Sequence, residues 1–418
     1  MLKVIKKILL NKQVHNLGIY GFGQLFNLIT PLVVAPYIVN TCGEENFGKT
    51  AVGMAISFFL IVFIDYGSEI VGVREVSVNR NNLKQLEKIF YSTFMIKACA
   101  LLFIIICSLL IINFVPYFQK ESKMFILGLM VLIGQFLSPN WFLQGIENVK
   151  WITLLNFISK MIYLLAVFKT IKQTNDYVYI NFWWGIGMIV GNFTVVMMIV
   201  MKYKFFNFNI SIKDIILQMK RDFSMFSSQI FVSIQLYSPV VIISALGNNF
   251  LAGQYRIIDQ VIVMFKTYIL LFFNFVFPKI CYLIENNPKK GIKNWVVYNG
   301  FNFILVILAM TIIYFFSYDV VSYFNPSNRY ILSNLMKIGV FIPVLLSISI
   351  PLKQLILGYN FKNYYVKATY IIVVFNVLLI SIFLKTLFVY GVLYSIIISE
   401  IIMIFLYIYK LRPIINYD

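Results

Sequence analysis

Three cationic side chains lie within long apolar stretches of this sequence. Lys160, Arg256 and Lys266 are flanked by hydrophobic residues, and Lys160 and Lys266 fall near the middle of their stretches. A charge buried away from water is costly, so such residues usually face a cavity or a partner of opposite charge. In a medium of low dielectric, a cation strongly attracts anionic groups such as phosphate or pyrophosphate. We therefore predict a cationic, substrate-binding cavity formed by these three residues.

Four carboxylates lie within or beside the same kind of stretch: Asp65, Glu69, Asp259 and Glu400. Each is a candidate for tuning the charge of the cavity or for carrying a coupling proton, and each is equally a candidate partner for a nearby lysine. Three further lysines lie near the ends of their stretches and are expected to extend to the membrane surface. They are Lys97, Lys337 and Lys353.

Uncharged polar residues recur at helical spacing in the apolar stretches, so that each set occupies one face of a helix. Such faces are typical of a water-filled cavity, although polar contacts between helices give the same pattern. The residues predicted to hydrogen-bond to sugar hydroxyls are Tyr20, Gln24, Asn27, Gln235 and Asn274.

Residues for metal, redox or nucleotide chemistry are scarce. His15 is the one histidine, so a two-histidine zinc motif cannot form. The four cysteines, Cys42, Cys99, Cys107 and Cys281, contain no CxxC pair, and the chain has no Walker A sequence. We predict no catalytic residues, no metal and no other cofactor.

The composition places these residues in a bilayer. Of the 418 residues, 61% are hydrophobic and 12% are charged, whereas a soluble domain has about 25% charged residues. A membrane-spanning helix needs about 17–25 apolar residues. Twelve stretches meet this requirement, which predicts an all-α polytopic membrane protein. They are 16–40, 50–72, 92–115, 123–144, 151–171, 179–201, 223–247, 252–280, 296–318, 334–357, 366–384 and 389–409.

The distribution of Lys and Arg predicts the orientation of the chain, whose net charge is +19. With both termini in the cytoplasm, the inner segments hold about three times as many Lys and Arg as the outer ones, in keeping with the positive-inside rule. All five tryptophans, including Trp141 and Trp184, fall at predicted segment ends, where aromatic residues favour the membrane interface.

The two halves of the chain share a weak repeat. Thr30-Pro31 in the first predicted span matches Ser238-Pro239 in the seventh, and Phe47-Gly48 matches Ala252-Gly253. Repeats in the same orientation are common in transporters and relate two lobes by an axis along the membrane normal, with the substrate site between them. We predict an N-terminal lobe over 1–210, which includes a basic cytoplasmic tail, and a C-terminal lobe over 211–418, each with six helices.

Several segments between the predicted spans resemble those of a known family. Residues 41–48 (TCGEENFG) resemble an LGxxxFG turn, and residues 139–150 (PNWFLQGIENVK) resemble a PxWxFQGxEKMK sequence. Asp65-Tyr66-Gly67 with residues 74–81 (REVSVNRN), and Gly253-Gln254-Tyr255 with Pro278, are also similar to motifs of that family. The family is that of the O-antigen flippases (Wzx type), within the multidrug/oligosaccharidyl-lipid/polysaccharide (MOP) exporter superfamily.

This resemblance implies a two-lobed transporter of the bacterial inner membrane. Members of the family move undecaprenyl-pyrophosphate-linked oligosaccharide units from the cytoplasmic to the periplasmic leaflet for lipopolysaccharide biosynthesis. The expected partners are that lipid-linked substrate, membrane lipids, and the polymerase and chain-length regulator of the same pathway, with no nucleic acid.

Two alternatives remain open at this stage. One is a related MOP-type antiporter for drugs or other small molecules. The other is a membrane-embedded polysaccharide polymerase or ligase, although such an enzyme needs a long outer loop and the predicted outer gaps are short. We expect a transporter and not an enzyme.

Overall fold

A computed structural model describes residues 12–206 and 211–415, and within these ranges the chain is helical and contains no β-strand. Helices prevail because a chain in hydrocarbon must satisfy every backbone polar group internally. The elements in chain order are α1 (Lys12–Cys42), α2 (Glu44–Asp65), a π-helix (Ser68–Gly72), α3 (Val73–Val78), α4 (Leu83–Phe114), α5 (Pro116–Gln119), α6 (Ser122–Gly128), α7 (Met130–Phe136), α8 (Asn140–Gly145), α9 (Val149–Thr170), a 3₁₀-helix (Thr174–Tyr179), α10 (Ile180–Tyr203), α11 (Ile212–Leu246), α12 (Asn249–Asn286), α13 (Pro288–Phe315), α14 (Ser317–Ser322), α15 (Arg329–Gly339), α16 (Phe341–Gly358) and α17 (Lys362–Ile415).

The membrane-spanning helices agree with the sequence prediction. In the part of the chain that the structure covers, 10 helical spans are long and apolar enough to cross a membrane, and a shorter apolar helix covers Phe26–Cys42. One span, Lys362–Pro413, is 52 residues long and is divided at Phe388, where φ is 50°. It therefore contains the last two predicted stretches, so each of the twelve overlaps one of these helical spans. The all-α polytopic fold class is confirmed, while residues 1–11 of the predicted tail lie outside the described residues.

Asparagine side chains fix the start of four helices. Asn82, Asn248, Asn287 and Asn328 each accept a hydrogen bond from the backbone N–H three residues later. Such a cap satisfies one of the unpaired donors of the first turn and contributes about 1 kcal/mol. These caps set the ends of α4, α12, α13 and α15, and with them the depth of the side chains that each helix carries.

The second predicted span, 50–72, extends beyond the end of the helix that it predicts. Helix α2 stops at Asp65, and Tyr66 and Gly67 both have left-handed backbone with φ of 43° and 80°. Glycine suits this turn because it adopts positive φ at no steric cost, and a Cβ there would stand 3.3 Å from the carbonyl oxygen of Asp222. Asp65 and Glu69 therefore do not lie on one continuous helix.

Contacts within the chain divide it into two compact units. The first unit comprises residues 12–42 and 52–233 of the described chain. Its core cluster includes Phe90, Phe142, Phe205 and the fully buried Trp141. The prediction that Trp141 lies at the membrane interface is wrong, because the indole packs inside this cluster.

The second unit comprises residues 43–51 and 234–415. Its core cluster includes Ile280, Leu355, Ile372 and Tyr407. The short segment 43–51, which opens α2, thus packs with the second unit although it precedes most of the first in sequence. The division of the chain into lobes over 1–210 and 211–418 remains a prediction.

Two glycines let α2 and α12 approach closely within the second unit. A Cβ on Gly48 would stand 1.9 Å from the carbonyl oxygen of Asn249, and a Cβ on Gly253 would stand 2.0 Å from that of Glu44. No real Cβ can occupy either position without a shift of backbone. These are the two glycines that the sequence repeat paired, and here they meet face to face.

We expect Gly253→Ala to lower the melting temperature of the purified protein by about 2–6 °C, because the added methyl group forces α2 and α12 apart. Gly300→Ala is the matched control, since a Cβ on Gly300 meets no atom within 4 Å. The measurement is thermal unfolding in detergent followed by tryptophan fluorescence. Equal melting temperatures for the two variants would contradict the close packing.

Candidate functional site

A small polar cavity lies inside the second unit, in the membrane-spanning region. Its volume is about 70 Å³, and α11, α12, α16 and α17 line it. Four of the residues predicted from the sequence meet there, namely Gln235, Asp259, Lys266 and Glu400. They come from three different helices, so the tertiary fold and not only helical spacing brings them together.

Arg256 stands one helical turn before Asp259, and the two form an ion pair. The Nη1 atom of Arg256 lies 2.6 Å from Oδ2 of Asp259, and both side chains are partly exposed. Tyr255, which is 4% exposed, lines the cavity together with Asp259. Arg256 thus neutralises a carboxylate at the cavity, whereas the sequence had suggested that it adds free positive charge.

Lys266 and Glu400 form the charged centre of the cavity. Glu400 is 9% exposed, and its Oε2 accepts a hydrogen bond of 2.9 Å from the hydroxyl of Ser349. Glu400, Asp259 and Lys353 all lie close enough to Lys266 to act on it electrostatically. The hydrogen bond from Ser349 orients the carboxylate of Glu400, which lines the same cavity as Lys266.

Lys353 does not line the cavity, but it lies close enough to Lys266 to act on it electrostatically, which the sequence did not predict. Its Nζ atom lies 4.7 Å from the ring centroid of Tyr365 and 5.6 Å from that of Phe273. These aromatic faces hold the ammonium group by cation–π attraction. The expectation that Lys353 extends to the membrane surface stays a prediction. The spacing of Ser349 and Lys353, four residues apart on one helical face, was a signal for their common role.

Asn376 and Ser399 add neutral polar groups to the lining. The Nδ2 atom of Asn376 donates to Oγ of Ser399 at 2.9 Å and to the carbonyl of Ser395 at 3.2 Å. These contacts join the two halves of α17, on either side of Phe388. Since Ser395 and Ser399 are four residues apart, their spacing predicts a shared face, but only the fold shows that Asn376 faces them.

The charges in this cluster do not cancel. Arg256, Lys266 and Lys353 are cations, and Asp259 and Glu400 are their acidic counterparts. One positive charge thus stays in excess among the named groups. At about 30 Å³ per water molecule, the cavity has room for roughly two waters, so it must widen before it admits a phosphate or a sugar.

A separate charged cluster is closed inside the first unit. Lys97 is completely buried, and its Nζ lies 3.0 Å from Oδ1 of Asp65 and 3.2 Å from the carbonyl oxygen of Ser138. The amide of Gln135 donates to both oxygens of Asp65, at 3.1 and 2.9 Å. The prediction that Lys97 extends to the membrane surface is wrong. Glu69 lies within electrostatic reach of both members of this pair.

Lys160, the third predicted cavity cation, also lies in the first unit. It is 7% exposed, and its Nζ lies 3.2 Å from the ring centroid of Trp184. The structure places Lys160 against an aromatic face and not among the residues of the polar cavity. Its role in substrate binding stays a prediction.

Four residues predicted to contact sugars remain: Asn274, Asn27, Tyr20 and Gln24. Asn274 is exposed and does not line the polar cavity, whereas Asn27 on α1 is half-buried. The side chains of Tyr20 and Gln24 lie outside the described part of the structure. Among the residues that the structure describes, no group of three His, Cys, Asp or Glu is placed to hold a metal ion.

Comparisons with known proteins identify a family and a fold for this chain. Residues 14–283 match the family model described as polysaccharide biosynthesis protein. A protein of Escherichia coli (strain K12) described as an O-antigen transporter is 21% identical over 266 residues, which is 64% of each chain. A Shigella dysenteriae protein of the same description is 23% identical over 65% of this chain and 68% of its own. The chain therefore matches less than two thirds of the length of the E. coli relative.

Solved structures share the fold. The lipid II flippase MurJ superposes with a TM-score of 0.75 at 13% identity, over 94% of this chain and 87% of its own. A MATE-family multidrug resistance transporter of the MOP superfamily superposes with a TM-score of 0.74 at 14% identity, over 94% and 96%. These relatives are transporters, in agreement with the prediction that the chain is a transporter and not an enzyme.

The contribution of the buried ion pair of Lys97 and Asp65 to stability can be tested by mutation. We expect Lys97→Met to destabilise the protein by about 3–5 kcal/mol, because it leaves the carboxylate of Asp65 buried without its cation. The double variant Lys97→Met with Asp65→Asn removes both charges and should recover much of this loss. The measurement is a double-mutant cycle on thermal unfolding.

Lys88 is the matched control, since it lies on the same helix and pairs with Asp214 at 2.9 Å but is 42% exposed. Lys88→Met should cost about 0–1 kcal/mol. If Lys97→Met costs no more than Lys88→Met, the buried pair does not stabilise the first unit.

Proposed function

Since the chain belongs to the polysaccharide biosynthesis protein family, we propose that it is a flippase for lipid-linked polysaccharide units. Its substrate would be an undecaprenyl-pyrophosphate-linked O-antigen repeat unit, moved from the cytoplasmic to the periplasmic leaflet for lipopolysaccharide biosynthesis. The O-antigen transporter relatives and the fold shared with a lipid II flippase support this proposal.

The excess positive charge at the polar cavity carries the proposal. A pyrophosphate brings negative charge into the membrane, where the cost of that charge falls if a cation is already in place. Lys266 supplies such a cation in the lining, and Lys353 supplies a second one within electrostatic reach of Lys266, while Arg256 is already engaged by Asp259. The site therefore favours an anionic head group over a cationic small molecule.

Binding of the head group changes the partners of Lys266. In the closed cavity the ammonium group lies beside Glu400. When a pyrophosphate approaches, it competes with Glu400 for Lys266, so the carboxylate must find another partner or take up a proton. Glu400 is thus our candidate for coupling transport to a proton, with Asp259 as the second carboxylate at the same cavity.

Neutral groups of the lining would bind the sugars. Gln235, Asn376 and Ser399 present amide and hydroxyl groups, which match the donors and acceptors of sugar hydroxyls. Asn27, with Tyr20 and Gln24 on the same helix, and Asn274 are further candidates for such contacts. Lys160, Asp65 and Glu69 would set the charge of the first unit.

The small volume of the cavity implies that it opens during transport. We propose alternating access, in which the polar site widens to one side of the membrane at a time while the lipid tail stays in the bilayer. Both termini would lie in the cytoplasm of a bacterial inner membrane, as the positive-inside rule indicates. The polymerase and chain-length regulator of the pathway would act on the product.

We expect Lys266→Gln to lower surface O-antigen by about ten- to hundredfold, because a charge-assisted contact to the pyrophosphate is lost. The test is complementation of a deletion strain, with the lipopolysaccharide ladder resolved on a gel and the protein level measured by immunoblot. Lys279→Gln is the matched control, since Lys279 lies on the same helix, α12, and contacts the hydroxyl of Tyr298 at the surface.

The double variant Lys266→Gln with Glu400→Gln separates folding from transport. It removes the charges of both Lys266 and Glu400, so the protein level should return to normal while the ladder stays weak. A normal ladder in the double variant would mean that Lys266 only neutralises Glu400, and the proposed role in substrate binding would be lost.

A further inference from the structure

A second cavity, distinct from the polar site, lies in the first unit and is almost entirely apolar. Its volume is about 320 Å³, and α2, α4, α5 and α6 line it. Ile56, Leu60, Phe63 and Phe125 are among its walls, and Cys107 and Ser108 are among its few polar atoms. None of the residues assigned above to substrate binding or charge tuning lines it.

The cavity opens on the surface of α4 that faces the bilayer. Its floor is buried, with Ile104 at 5%, Ile112 at 4% and Met124 at 1% exposure, whereas Phe103 and Ile111 at its rim are 69% and 48% exposed. If an apolar cavity is empty, the atoms that line it lack van der Waals contacts on one side. Water does not fill such a cavity. In a membrane, hydrocarbon is the material that fills such a space.

Cations stand at one end of this cavity. Lys120 follows the lining residue Phe118 by two positions and is exposed, and Lys123 immediately precedes the lining residue Met124. Lys123 donates to the hydroxyl of Tyr179 at 3.0 Å, which leaves further N–H donors on its ammonium group. The neighbouring acid, Glu121, is engaged by the hydroxyl of Tyr177. This end of the cavity therefore suits an anionic group.

We propose that the apolar cavity binds one acyl chain of an anionic phospholipid, whose phosphate lies beside Lys120 and Lys123. At roughly 30 Å³ for each methylene, close to the volume of one water molecule, the space holds roughly ten carbon atoms. That is a large part of one acyl chain but a small part of an undecaprenyl tail. The size of the cavity therefore favours a bilayer phospholipid over the lipid of the transported substrate.

Photo-crosslinking tests this assignment. The full-length protein is reconstituted in vesicles of phosphatidylethanolamine that contain a small fraction of phosphatidylglycerol with a diazirine at mid-chain. After illumination, labelled peptides are mapped by mass spectrometry. We expect labels on residues 56–63, 103–112 and 124–129, and weaker labelling when the diazirine is carried by phosphatidylcholine.

Two cysteines of the same helix give a matched pair of variants. Cys107→Phe fills the cavity and should lower the labelling about tenfold, as expected when a ring displaces roughly two methylene groups. Cys99→Phe changes an exposed position on α4 outside the cavity and should leave the labelling unchanged. Equal labelling of Cys107→Phe and Cys99→Phe would overturn the proposal.

The head-group contact is tested separately with the surface variant Lys120→Gln, Lys123→Gln. It should remove the preference for phosphatidylglycerol over phosphatidylcholine, and it keeps the test decisive if Cys107→Phe fails to fold. Equal labelling by the two probes in the unmodified protein would overturn the anionic assignment. Displacement of the phosphatidylglycerol probe by an equimolar amount of undecaprenyl phosphate would assign the cavity to the substrate lipid and overturn the proposal as well.

Discussion

A charge inside a membrane must be neutralised by the protein that carries it, because hydrocarbon offers neither water nor counterions. The structure meets this constraint in three different ways. Lys97 has a carboxylate and backbone carbonyls around it, Lys160 lies against an indole face, and Lys266 lies near Glu400 and Asp259. The end of α2 at Asp65 is one such case, because it places this carboxylate beside Lys97.

The two units neutralise their buried charges in different ways. In the first unit, Asp65 ends α2 and reaches Lys97 and Gln135, so Lys97 and Asp65 form a closed, matched pair. In the second unit, the cations outnumber the carboxylates around a cavity that is too small for a head group. A matched cluster stabilises the fold, whereas an unmatched one beside a cavity stays available to an anionic ligand. This difference is why our functional proposal depends on the second unit.

The sequence predicted the helices well because hydrophobic length is a property of each segment alone. It did not predict the break after Asp65, since the turn at Tyr66 and Gly67 occurs within an otherwise apolar run. It misjudged Lys97 because the predicted span began at 92, whereas α4 begins at Leu83 and carries this lysine two turns deeper. Capping by Asn82 sets that start, and it is invisible to a hydropathy pattern.

The candidate site, too, could be predicted from the sequence only in part. Arg256, Asp259 and Lys266 were found because each is an ionisable residue within the same apolar stretch, which the sequence alone reveals. Lys353, Ser349 and Asn376 come from other helices, so their proximity to Lys266 or Glu400 depends on tertiary packing. Polar residues spaced four apart predict a polar face on α16 and another on α17. The sequence does not show that these two faces meet.

The central claim is that this chain carries lipid-linked polysaccharide units across the membrane. The most direct measurement is to delete the gene and determine in which leaflet the undecaprenyl-linked units accumulate, with a membrane-impermeant enzyme that degrades accessible saccharide. Our account predicts that the units stay in the cytoplasmic leaflet, protected in intact spheroplasts and degraded in inverted vesicles. Accumulation of unpolymerised units in the periplasmic leaflet would contradict it.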